Sequence, residues 1–322
     1  MNILIRTGLT LPSISDEQVA QIQAAAGADA QLTVTTTAEE ALAAAADIEA
    51  MIGQITPEIF AAAPKLRWVH AIASGVDHYL FPEFKASDAV LTGEKGLVGS
   101  HLADHAFALL LSLTRGLAKA TRLGDDVWDH RMEFRRDNIE LEGLTMGIVG
   151  FGGTGRAIAK RAAAFGMDCI AVDRDEVTTT PEISEVRPMT AFHELLEASD
   201  VVAVCCPLTD ETLDLFDDEA FSHMKPTSII VNVTRGPIIN GDALATAIRS
   251  EQISGAGLDV QPEEPLPRDH AFWGLDRIVM TPHIAGASQL RAQRNIDRFC
   301  DNLGRLQRGE ALDGLIDKEL GF

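Results

Sequence analysis

The stretch TMGIVGFGGTGRAIAKRAAAFGMDCIAVD, residues 145–173, constrains the architecture more than any other part of the chain. An apolar run leads into Gly150-Phe151-Gly152-Gly153-Thr154-Gly155, and a helix-forming stretch follows. A bare G-x-G-x-x-G is a weak signal, because glycine-rich turns are common. Set between a strand and a helix, it has the context that a dinucleotide-binding turn requires. Gly150 permits the tight turn, Gly152 lets backbone N–H groups approach a pyrophosphate at the helix N-terminus, and Gly155 lets helix and strand pack closely. Gly153 and Thr154 complete the candidate cradle. Asp173 ends the next apolar run, 18 residues past Gly155, where a carboxylate would bond a ribose hydroxyl. A carboxylate there repels a 2′-phosphate, so NAD(H) is favoured. The neighbouring Arg174 softens that preference and keeps NADP(H) possible.

The same alternation of apolar runs and helical stretches extends in both directions. NILIR, QLTVTT, AMIG and RWVHAIAS read as strands in the first 95 residues, separated by helical segments such as EQVAQIQAAAG and AEEALAAAAD. TMGIVG, CIAVD, VVAVCC, SIIVNVT, AGLDV and IVMTPH read as six buried strands further on. Strands alternating with helices predict an α/β fold of parallel sheets with helices on both faces. A long helix is expected over 100–122, capped by Ser100. Its apolar content exceeds one stripe, which predicts burial on several sides at an interdomain or subunit interface. A second long amphipathic helix is expected from residue 288.

Composition excludes several classes of function. With 322 residues the chain is long enough for two domains. The net charge of −21 is the wrong sign for a general nucleic-acid binder and disfavours anionic lipid surfaces. No apolar run approaches the length of a membrane span, and MNILIRTG reads as a first strand rather than a leader; a cytoplasmic protein is expected. Four cysteines without Cys-x-x-Cys spacing argue against disulfides and a thiolate metal site. His101, Asp104 and His105 share a helical face and superficially suggest a metal site. Nothing else supports one, and no metal is expected.

Three further stretches end on the C-terminal side of strands, where open α/β sheets bind ligands. NVTRGPIIN offers Arg235, LDVQPEEP offers Asp259 and Glu264, and TPHIAG offers His283. Alone, His283 reads as an ordinary loop histidine, Arg235 as a surface ion-pair partner and Glu264 as a loop carboxylate beside Glu263. Taken together with the glycine turn and with CCPLTDET, in this order and spacing, the motifs resemble those of the D-isomer-specific 2-hydroxyacid dehydrogenase family over nearly the whole chain.

The resemblance implies two flavodoxin/Rossmann-like domains with the active site in the cleft between them. It implies a discontinuous substrate domain, 1–99 plus 288–322, and a dinucleotide-binding domain, 100–287, with hinge crossings near 97–101 and 284–292. It implies that Arg235 holds the substrate carboxylate and polarises the keto group, that His283 gives a proton to the keto oxygen, and that Glu264 orients the His283 ring. Asp259 matches the position near the nicotinamide amide, and Pro207, Thr212, Val233 and Gly286 match positions lining the cofactor. ASGVDH resembles the loop whose N–H groups, around Ser74, Gly75 and Val76, bind the substrate carboxylate. A homodimer through the 100–122 helix is expected. Asp104 departs from the Glu that many members carry, and Thr154 from their usual apolar residue.

The expected activity is hydride transfer between NAD(H) and a small 2-keto or 2-hydroxy acid of the D-series. Glutamate rather than glutamine beside the histidine argues against a formate dehydrogenase, and the lack of a domain after residue 322 against a phosphoglycerate-type enzyme. The substrate is glyoxylate- or hydroxypyruvate-like, or a larger apolar keto acid if Trp68, Tyr79, Phe81 and Trp273 line a pocket rather than pack. The alternative is an NAD(H)-sensing regulatory protein of the same fold. A methyltransferase would leave the Arg, Glu and His motifs unexplained.

Overall fold

The computed structural model describes residues 1–73 and 75–322. The chain divides into two compact units, residues 1–98 with 287–322 and residues 99–286. In the first unit five short strands, β1 (Asn2–Arg6), β2 (Gln31–Thr35), β3 (Ala50–Ile52), β4 (Trp68–His70) and β5 (Val90–Thr92), form one parallel sheet in the order β2-β1-β3-β4-β5. The inner strands are buried on both faces, so ILI and AMI read as unbroken apolar runs. One face packs on a core that includes Leu4, Met51, Val69 and Phe84. The other packs on Ile296, Phe299 and Leu303 of the helix Arg291–Arg308. Trp68, buried in β4, stacks on Phe299 at 4.6 Å between ring centres. Tyr79 is also core, and Phe81 packs edge-on against Phe60. Trp68 and Tyr79 are therefore packing residues, and Phe81 is partly buried against the same core.

The second unit carries seven parallel strands: β6 (Thr145–Val149), β7 (Asp168–Asp173), β8 (Val186–Pro188), β9 (Val201–Val204), β10 (Ile229–Asn232), β11 (Gly255–Leu258) and β12 (Ile278–Met280). Their order is β12-β11-β10-β9-β6-β7-β8. The chain starts at β6, runs outward through β7 and β8, then returns to the other side of β6 at β9. Strand order thus reverses between β6 and β9. That reversal is where ligands bind in doubly wound sheets, because the loops after the two strands diverge to opposite faces. The loops there are the glycine turn after β6 and CCPLTDET after β9.

The helix expected over 100–122 is longer than the one observed. It begins at Gly99 and stops at Thr114, so Ser100 lies inside its first turn and is not its cap. Gly116, in left-handed conformation at φ 64°, ends it, and a separate helix runs over Leu117–Leu123. Part of the apolar surface of Gly99–Thr114 packs within its own unit, with Leu109 against β11 at Gly257 and Phe107 stacked on Phe165. Two edge strands, β5 and β8, have no counterpart among the expected strands.

Candidate active site

The glycine turn is built as its spacing demands. Gly150 stands at φ 93°, and a β-carbon there would lie 2.6 Å from the Cys206 nitrogen. A β-carbon at Gly155 would overlap the carbonyl of Gly150. At Gly152 a β-carbon would meet nothing within 4 Å. Gly152 is therefore not demanded by the protein's own packing, which is the condition for a backbone that must admit a ligand. The helix Gly153–Ala164 starts there, and Gly152 offers its first N–H groups no side-chain cap. Asp173, at the end of β7, accepts the Phe151 N–H at 2.6 Å, which ties the acidic residue to the turn. Arg174 is held by Asp175. Open space, a helix N-terminus without a capping side chain and a carboxylate at the adjacent strand end fit a dinucleotide. Thr212, after β9, donates to the Pro207 carbonyl at 2.7 Å and folds that loop back on itself. Val233 is buried just beyond β10.

The second cluster forms from the loops after β10, β11 and β12. Asn232, buried at the end of β10, accepts the N–H of Thr234 at 3.0 Å and donates to the carbonyl of Arg235 at 2.8 Å. This fixes the turn that presents Arg235, whose guanidinium also donates to Thr234 O at 2.7 Å. Arg235 lies in this turn rather than in the strand. At Gly236 a β-carbon would overlap the carbonyl of Gln261, so only glycine lets the Arg235 turn close on the loop that carries Glu264. Glu264 then bridges two ways. One carboxylate oxygen accepts the Gln261 N–H at 2.9 Å, and the other lies 2.7 Å from His283 Nδ1.

His283 itself has φ 53°, a left-handed backbone that costs a non-glycine residue about 1–3 kcal/mol and persists only where its surroundings hold it. Asp259, fully buried at the end of β11, provides the hold. Its carbonyl accepts the His283 N–H at 2.8 Å, and its carboxylate accepts the N–H groups of Ile284 and Ala285 at 2.9 and 2.7 Å. Burial pulls the Asp259 carboxyl up, but hydrogen bonds from His105, Thr281 and the two N–H groups outweigh it, so the group lies below the usual carboxylate range. The His283 side chain is about half exposed, so its ring is accessible from outside.

The remaining candidates separate. Asp104 pairs with Arg161 at 2.7 Å, and His105 turns to Thr281 and Asp259, so the helical face does not gather ligands round an ion. His193, Glu219 and His223 bring their ligand atoms within 4.8 Å of one another elsewhere on this unit. The two imidazoles stack 4.2 Å apart and 14° from parallel, so their lone pairs lie in near-parallel planes instead of converging on one ion. All four cysteines are free, and burial pushes the Cys206 thiol up to about 12. Trp273 is exposed, its indole N–H bonded to the Pro267 carbonyl. Gly75 is partly buried and Val76 buried beyond β4, and Ser74 lies outside the described residues. Sequence reasoning missed Asn232 and Thr281 and took His105 only as a metal candidate.

Fold and site together define a dinucleotide-binding oxidoreductase with a histidine–carboxylate pair. Comparison with known proteins gives its family. The family model for the D-isomer specific 2-hydroxyacid dehydrogenase NAD-binding domain matches residues 107–285. The chain is 35% identical over 298 residues to a glyoxylate reductase of Pyrococcus furiosus, covering 88% of this chain and 86% of that one. A glyoxylate reductase of Korarchaeum cryptofilum is 34% identical, with 85% and 84% covered. Among solved structures, a D-isomer specific 2-hydroxyacid dehydrogenase family protein of Aeromonas salmonicida superposes with a TM-score of 0.81 at 28% identity, covering 98% of this chain and 99% of that one. The protein belongs to the D-isomer specific 2-hydroxyacid dehydrogenase family. It is an NAD-binding enzyme that moves hydride between the nicotinamide and a 2-keto or 2-hydroxy acid.

Proposed function

We propose that the enzyme reduces a small 2-keto acid of the glyoxylate or hydroxypyruvate type, with larger apolar keto acids as the alternative substrates and D-products where the carbon is chiral. The observation that carries the proposal is the 2.7 Å contact between Glu264 and His283 Nδ1, on loops locked to the Arg235 turn through Gly236. NADH, when bound, supplies the hydride that reaches the substrate C2. Arg235 binds the substrate carboxylate and draws charge from the keto oxygen, since a guanidinium stays charged and its fork matches a carboxylate. Glu264 accepts the Nδ1–H of His283, which leaves Nε2 as the atom that gives its proton to the keto oxygen. In the oxidative direction Nε2 takes the proton back from the hydroxyl. The N–H groups of Gly75 and Val76, with the Ser74 position, are assigned to the substrate carboxylate. Gly150, Gly152, Gly153, Thr154 and Gly155 are assigned to the pyrophosphate and Asp173 to the ribose. Pro207, Thr212, Val233 and Gly286 are assigned to the cofactor's remaining length. Asp259, which holds the His283 turn, is assigned to the cofactor, where it would lie near the nicotinamide amide.

The unit 1–98 with 287–322 is assigned to substrate and 99–286 to the dinucleotide. A cytoplasmic homodimer is the proposed state. No helix among the described residues is long and apolar enough to cross a membrane. Leu117, Trp128 and Met132 expose apolar side chains on the segment after Gly99–Thr114, which favours a protein contact there.

The test is NADH oxidation, followed by the loss of its near-ultraviolet absorbance, against glyoxylate, hydroxypyruvate, pyruvate, phenylpyruvate and branched-chain keto acids, with NADPH in parallel. Turnover is expected fastest with glyoxylate or hydroxypyruvate and NADH. Tight NADH binding with no turnover of any of these acids would contradict the proposal.

A further inference from the structure

Thr281 follows β12 directly and stands two residues before His283. Its hydroxyl lies 2.6 Å from Asp259 Oδ1 and 2.7 Å from His105 Nε2. A hydroxyl owns one proton. Asp259 is a buried carboxylate that only accepts, so the Thr281 proton goes to it. His105 Nε2 must then carry a hydrogen and donate it to the Thr281 oxygen, with Asp259 Oδ1 as a second acceptor at 3.3 Å. Oδ1 of Asp259 faces Thr281, the Ile284 N–H and, at longer range, His105, and Oδ2 accepts the Ala285 N–H. Oδ1 is thus the crowded oxygen of the pair. Its partners are residues flanking His283, together with a histidine on the helix Gly99–Thr114.

We propose that His105 is a positioning residue for the reaction: its Nε2–H completes a His105–Thr281–Asp259 clamp that holds the strained turn at His283 in the orientation for proton transfer. The inference rests on the reading of His283 as the proton donor. His105 does not touch substrate. Its Nε2–H meets the Thr281 oxygen and Asp259 Oδ1, which ties the helix Gly99–Thr114 to the carboxylate that accepts the Ile284 and Ala285 N–H groups just after His283. Without it, the Thr281 oxygen and Asp259 Oδ1 lose their shared donor, and the loop that carries His283 loses its tie to the helix. Side chains and backbone that are off by a fraction of an ångström cost turnover, because the proton must leave Nε2 along a short hydrogen bond.

The test compares His105→Leu, His105→Gln, Thr281→Val and His283→Ala in the full-length enzyme. It measures kcat, NADH dissociation constant by fluorescence and melting temperature. His105→Leu is expected to lower kcat by about tenfold or more, with NADH affinity within about twofold of wild type. His105→Gln, whose amide N–H reaches the same point, is expected to restore most of the loss. Thr281→Val should match His105→Leu, and the double variant should be no worse than either alone, because both remove one clamp. Wild-type kcat in His105→Leu would overturn the inference, as would equal losses in the Leu and Gln variants. If His105→Leu does not fold, Thr281→Val, which keeps the side chain's volume, takes its place, and wild-type kcat in that variant overturns the inference equally. A His283→Ala variant that keeps turnover would instead overturn the proton-donor reading itself.

Discussion

His70 and His283 are the same side chain in opposite surroundings in the two units. His70, in β4, is fully buried and bonded on both nitrogens: the Thr92 hydroxyl lies 2.9 Å from Nδ1, and Asn295 Oδ1 lies 3.2 Å from Nε2. The surrounding bonds fix its tautomer. Trp68 Nε1 donates to Thr92, whose own proton then goes to His70 Nδ1. Asn295 spends its amide hydrogens on Glu94 and the Arg291 carbonyl, so its oxygen must accept from Nε2. Burial pushes the His70 pKa down to about 4, against a smaller upward pull from Asn295, and the ring stays neutral at ordinary pH. His283 has one ring nitrogen on a carboxylate and, among the described residues, no such network at the other, on a half-exposed side chain. A histidine closed in by neutral partners specifies a core. A half-exposed histidine held at one nitrogen by Glu264 has the geometry that the proposed proton transfer needs.

The contrast is broken most severely at Arg235. Arg235→Gln should lower kcat/KM by about 10³-fold, the scale of losing a charged group that stabilises the reacting oxygen, with little change in melting temperature. A variant whose melting temperature fell markedly while its folded fraction kept wild-type kcat/KM would make the β10–β12 loops a structural network of the His70 kind.

His70 gives the next largest effect, on stability and not on rate. Its pKa falls from 6.5 in the unfolded chain to about 4 in the folded one. The unfolded state therefore binds a proton first as pH drops. The stability His70 contributes is complete above about 6.5 and is lost as pH falls toward about 4, a change of about 3 kcal/mol. Urea unfolding at a series of pH values should show this slope, and His70→Leu should flatten it while lowering stability at every pH. An unchanged slope in the variant would place the acid sensitivity elsewhere.

The glycine turn gives a smaller effect that separates structure from function within a few residues. Gly155→Ala should destabilise the fold, because the new β-carbon meets the Gly150 carbonyl. Gly152→Ala enters open space and should leave stability within about 0.5 kcal/mol. It should nonetheless weaken NADH binding by about tenfold, or ~1.4 kcal/mol. Isothermal titration with NADH decides the point, and unaltered affinity in Gly152→Ala would remove Gly152 from the cofactor cradle.

Much of this was legible in the sequence, for physical reasons. Strands of a parallel sheet covered on both faces must be continuous apolar runs, so β6, β9 and β10 announce themselves. The edge strand β8, Val-Arg-Pro, has no such cover and no such pattern. The helix expected through residue 122 was stopped by Gly116, a left-handed terminator that its apolar neighbours obscured. Arg235, Glu264 and His283 stand out because each follows a strand and sits in a recognisable motif. What holds them does not. Asn232 sits at the end of an apolar strand, and its bonds to Thr234 and Arg235 depend on a turn that spacing does not reveal. His105 is 176 positions from Thr281. On a helical face beside His101 and Asp104 it suggests metal, and only the fold shows that it turns to Thr281 and Asp259. The His70–Asn295 contact spans 225 positions and is equally silent in the sequence.

The most direct measurement sets the two histidines side by side: turnover and NADH affinity of His283→Ala and His70→Leu, each on protein shown to be folded at neutral pH. His283→Ala is expected to lose about 10²–10⁴-fold in kcat while binding NADH as wild type, and folded His70→Leu to keep its kcat within a few-fold. A His283→Ala enzyme that turns over normally, or a His70→Leu enzyme that is folded and inactive, would contradict the division of roles between them.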